Sequence, residues 1–428
     1  MTNQTGKSSL SSTAMPGVVD RHRGEERFRR LGLAAIAISM SFLAFFLVSI
    51  IGTGYGAFIQ TAIKIDVDLT YQEVGLEETF TPEDLAGVSY RSAVRSAMRT
   101  LIPEDLGRRE SRALYGLIGA GAEFELRDIV LAQPELVGTI TSFWLTASDD
   151  VDLYNKSGLT EASAQQTRLT DKQIEWYSAL KTDDRIVKRF NWTFLTGSDS
   201  RDPEVAGVWG AMVGSFFALG VCLLLSCFVG VLTAVYLEEF AARNRWTQFL
   251  EININNLAAV PSITFGLLGL AIFLGFFGLP RSASLVGGMV LALMTLPTVI
   301  ISSRVALQAV APSIREAAFG IGASRVQTVF HHVVPLALPG ILTGIIIGMA
   351  RALGETAPLL MIGMVAFIAD PPTNLTQPAS ALPVQVYLWA DSPERAFAEK
   401  TAGAILVLLV FLLMMNLFAV ILRRKFEK

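Results

Sequence analysis

The sequence predicts an all-α polytopic membrane protein with six transmembrane helices and an inserted α+β extracytoplasmic domain. Three observations lead to this fold class. Of the 428 residues, 52% are hydrophobic and 17% are charged, and the mean hydropathy is +0.47, whereas soluble proteins carry roughly a quarter charged residues. Six apolar runs are long enough to cross roughly 30 Å of hydrocarbon as helices. Residues 59–206 form one long polar segment between the first run and the second.

The six predicted spans lie near 31–58, 207–236, 254–279, 283–302, 338–368 and 401–422. The cationic stretches "RHRGEERFRR" and "RRKFEK" flank the first and the last of them. Because cationic flanks stay in the cytoplasm, both termini are predicted to be cytoplasmic, which requires an even number of spans. Residues 1–30 are predicted to be a disordered cytoplasmic tail. The run at 31–58 is interpreted as an anchor and not as a cleaved signal peptide.

The segment 59–206 is long enough to be a domain with its own core, on the outer side of the membrane. The stretch "IKIDVDLTY" alternates polar and apolar residues, which predicts a strand. Its apolar side chains share one face: Ile63, Ile65, Val67 and Leu69. Thr81 as N-cap, with Pro82 in the first turn, marks a helix start, and "RIVKRFNWTFLTG" is typical of another strand. The scattered acids and bases of this segment indicate an ordinary solvated surface and no catalytic constellation.

The predicted inside loop between the fourth and fifth spans reads "PSIREAAFGIGASRVQTVFHHVVPLALPG". Ser313 followed by Glu316 predicts a capping box, and Ser324 followed by Gln327 predicts a second one. A glycine turn separates them, and Pro335 is expected to close the second short helix. Taken alone, the acid at position 316 is best interpreted as a capping residue.

Two charges interrupt the fifth apolar run, "GIIIGMARALGETAPLLMIGMV". A charge at the bilayer centre costs on the order of 3 kcal/mol or more, so such residues usually face a cavity. Arg351 and Glu355 are four apart and share a helix face, and Pro358 should loosen the backbone beside the acid. Two interpretations stay open: an ion pair that locks helices together, or a pathway in which a guanidinium contacts a tetrahedral oxyanion.

The inside loop resembles the EAA loop of bacterial ABC importer permeases, the coupling helix that docks onto a cytoplasmic ATPase subunit. The matching residues, within about 312–335, are Glu316, Ala317, Ala318, Gly322 and Pro335. The spacing agrees throughout, although His332 stands where the family usually has isoleucine. The resemblance implies that these residues couple the chain to an ATPase.

The stretches "GMARALGETAPLL" and "VPSITFGLLGLAIF" resemble the phosphate-specific ABC permeases of the PstA type, over about 207–425. The resemblance implies a permease core in that range, made of five spans and the EAA loop. It also implies that Arg351, Glu355 and Thr356 lie on the phosphate route. The segment 59–206 departs from the short members of the family, which have only a brief loop there.

The resemblance implies a transport subunit of the bacterial inner membrane that is not itself an enzyme. Expected partners are a second related permease, two ATP-binding subunits and a periplasmic phosphate-binding protein, with inorganic phosphate as cargo and membrane lipid around the spans. No G-x-x-x-x-G-K-[ST] pattern occurs, so ATP and Mg are expected on the partner ATPase and no cofactor on this chain. Three histidines, and two cysteines within one apolar run, favour no metal site. The few cations of the loop argue against nucleic acid.

Other functions compete with phosphate import. The same permease architecture could carry another oxyanion, such as phosphonate, sulfate or molybdate. A membrane-anchored sensor would need a cytoplasmic output domain, and the longest predicted inside segment between spans is 303–337. A secondary transporter would need inverted repeats and would have no use for an EAA loop.

Overall fold

A computed structural model describes residues 16–70, 81–102, 106–158, 167–365 and 367–426. The chain divides into two compact units, Met1–Gly52 and Thr53–Lys428. Helix α1, Pro16–Gly54, makes up the described part of the first unit. The predicted disordered tail is therefore wrong for residues 16–30, while residues 1–15 lie outside the described residues. Glu26 and Arg30, four apart and 3.5 Å from each other, illustrate the charge pairing that supports this helical extension.

The segment after α1 begins with a 3₁₀ turn, Tyr55–Phe58, and contains a three-stranded antiparallel sheet. Its strands are β1 Ile59–Asp68, β2 Ile140–Thr146 and β3 Ile186–Phe190, with β1 in the centre. A 3₁₀ turn, Pro134–Leu136, precedes β2. The helices described here are α2 Pro82–Gly87, α3 Tyr90–Leu101, α4 Arg108–Tyr115, α5 Ala122–Ala132, α6 Asp149–Lys156, α7 Asp171–Thr182 and α8 Trp192–Thr196.

The local sequence signals of this segment have mixed outcomes. The four apolar side chains predicted to share one strand face are all buried. The predicted strand is confirmed as far as Asp68; Leu69 follows the end of β1, and Tyr71 lies outside the described residues. The helix start at Thr81 is confirmed as well, because its hydroxyl and Asp84 form a reciprocal capping box. The strand predicted over 185–197 is right only for β3. Its second half is α8, which begins where the Asn191 side chain accepts a hydrogen bond from the Phe194 N–H at 3.0 Å.

The remaining helices belong to the membrane region of the sequence. They are α9 Trp209–Val235, α10 Arg245–Ala258, α11 Ser262–Gly269, α12 Ser284–Gln308, α13 Pro312–Gly320, α14 Arg325–Thr328, α15 Val334–Gly354, α16 Ala357–Met361, α17 Leu382–Ala390 and α18 Ala396–Phe426. Wider π-helical turns extend α9 and α11 and join α14 to α15: Tyr236–Phe240, Leu270–Phe276 and Val329–Val333.

Five helices among the described residues are long and apolar enough to cross a membrane, and six if one bent pair counts as a span. That pair, Arg245–Ala258 with Ser262–Phe276, bends by 104°, so the straight span predicted at 254–279 is wrong. Pro261 explains the break, since it disfavours helical backbone at the residue before it. The span predicted at 338–368 is also wrong as one helix, because α15 ends at Gly354.

Helix α12 is the centre of the membrane-type core and packs against both α9 and α15. Its most apolar window is 67% buried, whereas that of α18 is not buried at all. A separate apolar core fills the space between the sheet and helices α3 to α7. Lys156 of α6 joins the two regions: its ammonium group lies 3.0 Å from the Glu399 carboxylate of α18 and donates to the Gly56 carbonyl at 2.8 Å.

Candidate translocation and coupling sites

The backbone breaks where the fifth apolar run carries its charges. Glu355 follows α15 with extended dihedral angles, φ −83° and ψ 117°, and Thr356 precedes the short helix α16. Pro358, in the first turn of α16, has no N–H and cannot continue a helix from α15. The predicted loosening of the backbone beside Glu355 is therefore confirmed. Irregular backbone at membrane depth is tolerated only within protein or along a wet cavity.

Arg351 and Glu355 are brought together, but loosely. The Arg351 Nε lies 3.6 Å from the Glu355 Oε1, which is longer than a hydrogen bond. The arginine side chain is 47% exposed and the glutamate side chain 21%. A pair that only locked helices together would be expected to be buried and directly hydrogen-bonded. In this chain nearly half of the Arg351 side-chain surface is exposed instead. Thr356 is half-buried directly after the pair.

The two sequence motifs of the membrane core meet at this break. Helix α11, from "VPSITFGLLG", packs against α16, from "ETAPLLM". A Cβ added to Gly266 would lie 2.8 Å from the Pro358 Cα and 2.8 Å from the Met361 Cβ. Only glycine permits α11 and α16 to approach this closely. Pro358 is buried in this contact. The second half of the bent helix pair therefore supports the broken backbone after Glu355.

The EAA loop begins differently from the prediction. Helix α13 has Ala311 as its N-cap and Pro312 in its first turn, with no side-chain cap, so the capping box of Ser313 with Glu316 is wrong. The reason is that Pro312 favours extended backbone before it and the first helical position for itself. The second capping box is confirmed, because Ser324 and Gln327 exchange hydrogen bonds of 2.9 and 3.3 Å.

Most of the predicted coupling residues lie at the surface. Glu316, Ala317, Gly322 and Pro335 are exposed, whereas Ala318 is buried. Gly322 has a φ of +87°, a conformation that favours glycine and fixes the direction of the turn between α13 and α14.

Pro335 does not close a short helix, contrary to the prediction. The chain continues as a helix from Arg325 to Gly354, and Pro335 lies in the first turn of α15. The π-helical turn Val329–Val333 precedes it. This wider turn accommodates a residue that lacks an N–H and would clash with the carbonyl four residues back.

Sequence reasoning missed the ion pairs that anchor this loop. The Arg315 guanidinium of α13 donates two hydrogen bonds to the Glu239 carboxylate, from Nη2 to Oε1 at 2.6 Å and from Nε to Oε2 at 3.3 Å. It also donates to the carbonyls of Val310 and Leu307, at 2.8 and 3.0 Å. Beside it, Arg304 of α12 contacts both Glu238 and Glu251. The available signal was the acidic pair in "YLEEF" directly after an apolar run.

These ion pairs border a cleft of about 580 Å³ beside α13. Its lining residues come from helices α12 to α14, the chain segments next to them and the π-helical turn that extends α9: Glu238, Glu239, Gln308, Val310, Pro312, Arg315, Phe319, Arg325, Thr328 and Val329. Large apolar side chains are exposed around the loop, with Phe319 at 49%, Ile321 at 83% and Val326 at 56%. Exposed apolar groups next to charged ones are typical of a surface that docks another protein.

The sequence of the chain is similar to those of known transport proteins. Residues 226–428 match the model of the binding-protein-dependent transport system inner membrane component. The phosphate transport system permease protein PstA 1 of Mycobacterium tuberculosis is 31% identical over 232 residues, which are 54% of this chain and 75% of that protein. PstA of Haemophilus influenzae is 33% identical, over 52% of this chain and 78% of that protein.

The chain belongs to the PstA permease family. As a member of that family it is an ABC importer permease, a multi-pass membrane subunit of a larger complex. This PstA-family permease also has an additional region, because residues 17–165 match a domain of unknown function, DUF3333. Among solved structures, the inward-facing MetNI methionine ABC transporter overlaps with a TM-score of 0.42 at 17% identity, over 52% of this chain and 98% of that chain.

Proposed function

We propose that this PstA-family permease forms half of the translocation path of an ATP-driven importer of inorganic phosphate. The relatives named as phosphate permeases, at 31% and 33% identity, support this cargo. The observation that carries the proposal is the Arg351 guanidinium, half-exposed beside broken backbone and only loosely paired with Glu355.

The roles of the three route residues follow from charge. Phosphate at neutral pH carries between about one and two negative charges, and a low-dielectric region would exclude it. A fixed cation at Arg351 lowers that barrier, because a guanidinium contacts oxyanions with two parallel hydrogen bonds. Glu355 is the counter-ion when the path is empty, and it limits how tightly phosphate is held. The hydroxyl of Thr356 is an additional polar partner at the break.

Three variants test the route. In Arg351→Gln the charge of Glu355 loses its compensation together with the anion contact, so uptake should fail. In Arg351→Gln with Glu355→Gln both charges are absent, so any loss of assembly should be relieved. Complex yield and uptake of radiolabelled phosphate into proteoliposomes are measured for both single variants and the double variant. If uptake returns in the double variant, the pair is structural and the proposed route is wrong.

The same assay tests the cargo. Unlabelled phosphate should abolish the uptake of labelled phosphate, and equal concentrations of sulfate, molybdate or a phosphonate should leave most of it. Stronger competition by one of those oxyanions than by phosphate would assign the importer to that oxyanion.

The EAA loop is proposed to couple the chain to its ATPase. Glu316, Ala317 and Gly322 lie at the surface that would dock an ATP-binding subunit, and Ala318 and Pro335 shape it from within α13 and α15. The full importer then contains a second related permease, two ATP-binding subunits that hold ATP and Mg, and a periplasmic phosphate-binding protein. This chain supplies transport and no hydrolysis.

The proposed topology has both termini in the cytoplasm of a bacterium, residues 59–206 outside and residues 303–337 inside. It counts the bent helix pair as one span and so gives six in the inner membrane. Cysteines introduced at exposed Ser178 and Ser324 should react with an impermeant thiol reagent from opposite sides. Labelling of both from outside would contradict the topology.

A further inference from the structure

Two helices of the segment 59–206 carry arginines at four-residue spacing. On α3 they are Arg91, Arg95 and Arg99, and on α4 they are Arg108 and Arg112. Residues four apart share a helix face. All of these arginines are exposed, and the opposite face of α3 is buried in the core. The two helices therefore present their cations outward.

Tyr115, at the end of α4, contacts the arginine row of α3. Its ring centroid lies 5.3 Å from the guanidinium carbon of Arg95 and 5.6 Å from that of Arg99. Cation–π attraction holds both guanidinium groups at one ring. Like charges four residues apart destabilise a helix, so an anion bound between them would relieve their repulsion. The Tyr115 hydroxyl is buried and has no hydrogen-bond partner among the described residues.

These side chains border a cleft of about 610 Å³. The residues that line it are Arg95, Arg99, Leu106, Arg108, Ser111, Arg112 and Tyr115, and none of these described lining residues is acidic. Two described carboxylates, one on α4 and one on α5, already have partners. Glu110 pairs with Lys172, and Glu123 pairs with Arg91 through two hydrogen bonds of 2.6 Å. In the described part of the chain no carboxylate pairs with the four arginines of the cleft.

We propose that this cleft binds a tetrahedral oxyanion of the phosphate type. Planar guanidinium groups donate two parallel hydrogen bonds to such an anion, and the Tyr115 hydroxyl, which has no hydrogen-bond partner among the described residues, can donate one more. A concave wall whose described residues include four arginines and no carboxylate concentrates anions more strongly than a flat basic surface. The site is separate from the Arg351 route, so this inference does not rest on the proposed function.

The test is equilibrium dialysis of the purified full chain, in neutral detergent, against radiolabelled inorganic phosphate. The wild-type chain should bind phosphate saturably. Arg112→Gln should weaken binding roughly tenfold or more, since a charge-assisted hydrogen bond is lost. Arg109→Gln is the matched control: it removes the same charge three positions away, from a side chain that does not line the cleft, and binding should change less than twofold.

Tyr115→Phe keeps the ring under both guanidinium groups and removes only the unpartnered hydroxyl. It should weaken phosphate binding several-fold while the melting temperature of the ligand-free chain does not fall. A melting temperature that is unchanged by Arg112→Gln shows that this variant is folded.

Three results would overturn the proposal. Equal weakening by Arg109→Gln and Arg112→Gln would indicate a diffuse charge effect. Unchanged binding in Arg112→Gln would place the bound phosphate elsewhere, for example at Arg351. Binding of radiolabelled short-chain phosphatidic acid that Arg112→Gln weakens, without binding of dissolved phosphate, would assign the cleft to a lipid headgroup.

Discussion

The bidentate pair of Arg315 and Glu239 gives the sharpest prediction for the coupling region. The Glu239 side chain is only 9% exposed and the Arg315 side chain 22%. In Arg315→Gln the carboxylate stays buried without its partner, and removal of one member of a buried pair costs about 3 to 5 kcal/mol. Because the arginine is partly exposed, we expect the lower end, about 3 kcal/mol of unfolding free energy.

A double-mutant cycle isolates the pair from the rest of the loop. Arg315→Gln with Glu239→Gln removes both charges, so we expect a coupling free energy of about 2 kcal/mol between the two sites. Part of the loss should persist, because Arg315 also donates to the carbonyls of Val310 and Leu307. Arg325→Gln is the control: its guanidinium carbon lies 5.6 Å from the centroid of the Phe240 ring, and loss of this cation–π contact should cost less than about 1 kcal/mol.

The assay is reversible unfolding of the purified chain in mixed micelles with increasing denaturing detergent. Phosphate uptake by the assembled importer is measured in parallel, below the unfolding range. Uptake should fall in Arg315→Gln even where the chain is folded, because α13 loses its attachment to the end of α9. If the two single losses add without coupling, the pair does not stabilise the loop and the reasoning is refuted.

Two further predictions concern single residues. Gly322→Ala should lower uptake and destabilise the loop by about 1 kcal/mol, because a side chain at φ +87° is strained. Gly320→Ala is the control, because Gly320 lies on the same loop and has no positive φ. In the same unfolding and uptake assays this control should be neutral or stabilising. Burial raises the pKa of Glu204 to about 6, above its unfolded value of 4.5. The unfolding free energy should therefore fall by up to about 2 kcal/mol as the pH rises from 4.5 to 6. Glu204→Gln should remove that pH dependence in melting curves. An identical pH dependence in the variant would contradict this.

Some features of this chain follow from residues close together in sequence. The alternation at residues 63–69 predicts β1, because side chains of a strand point to opposite faces in turn. Ser324 with Gln327 predicts a helix start, and Pro358 predicts the break beside Glu355. In each case the deciding interaction joins residues within about four positions, or is a property of proline itself.

Two sequence predictions are wrong because of the effect that a proline has on neighbouring residues. Pro261 forces a 104° bend in an apolar run that is long enough for one straight span. Pro312 is the first residue of α13, so Ala311 is the N-cap and Ser313 lies inside the helix. Proline disfavours helical backbone at the residue before it. Both effects can be predicted from the sequence if this restriction is given priority over the length of an apolar run or the presence of a capping motif.

The tertiary structure alone decided the contacts between distant residues. Arg315 finds Glu239 76 positions away, and Gly266 meets Pro358 across two helices. The arginines of α3 and α4 line one cleft only because the two helices pack together, with Arg95 and Arg99 of α3 at the ring of Tyr115 of α4. Sequence spacing fixes which face of a helix a side chain occupies, but not which face of another element lies opposite. That choice depends on how the whole chain buries its apolar surface, and it has no local signal.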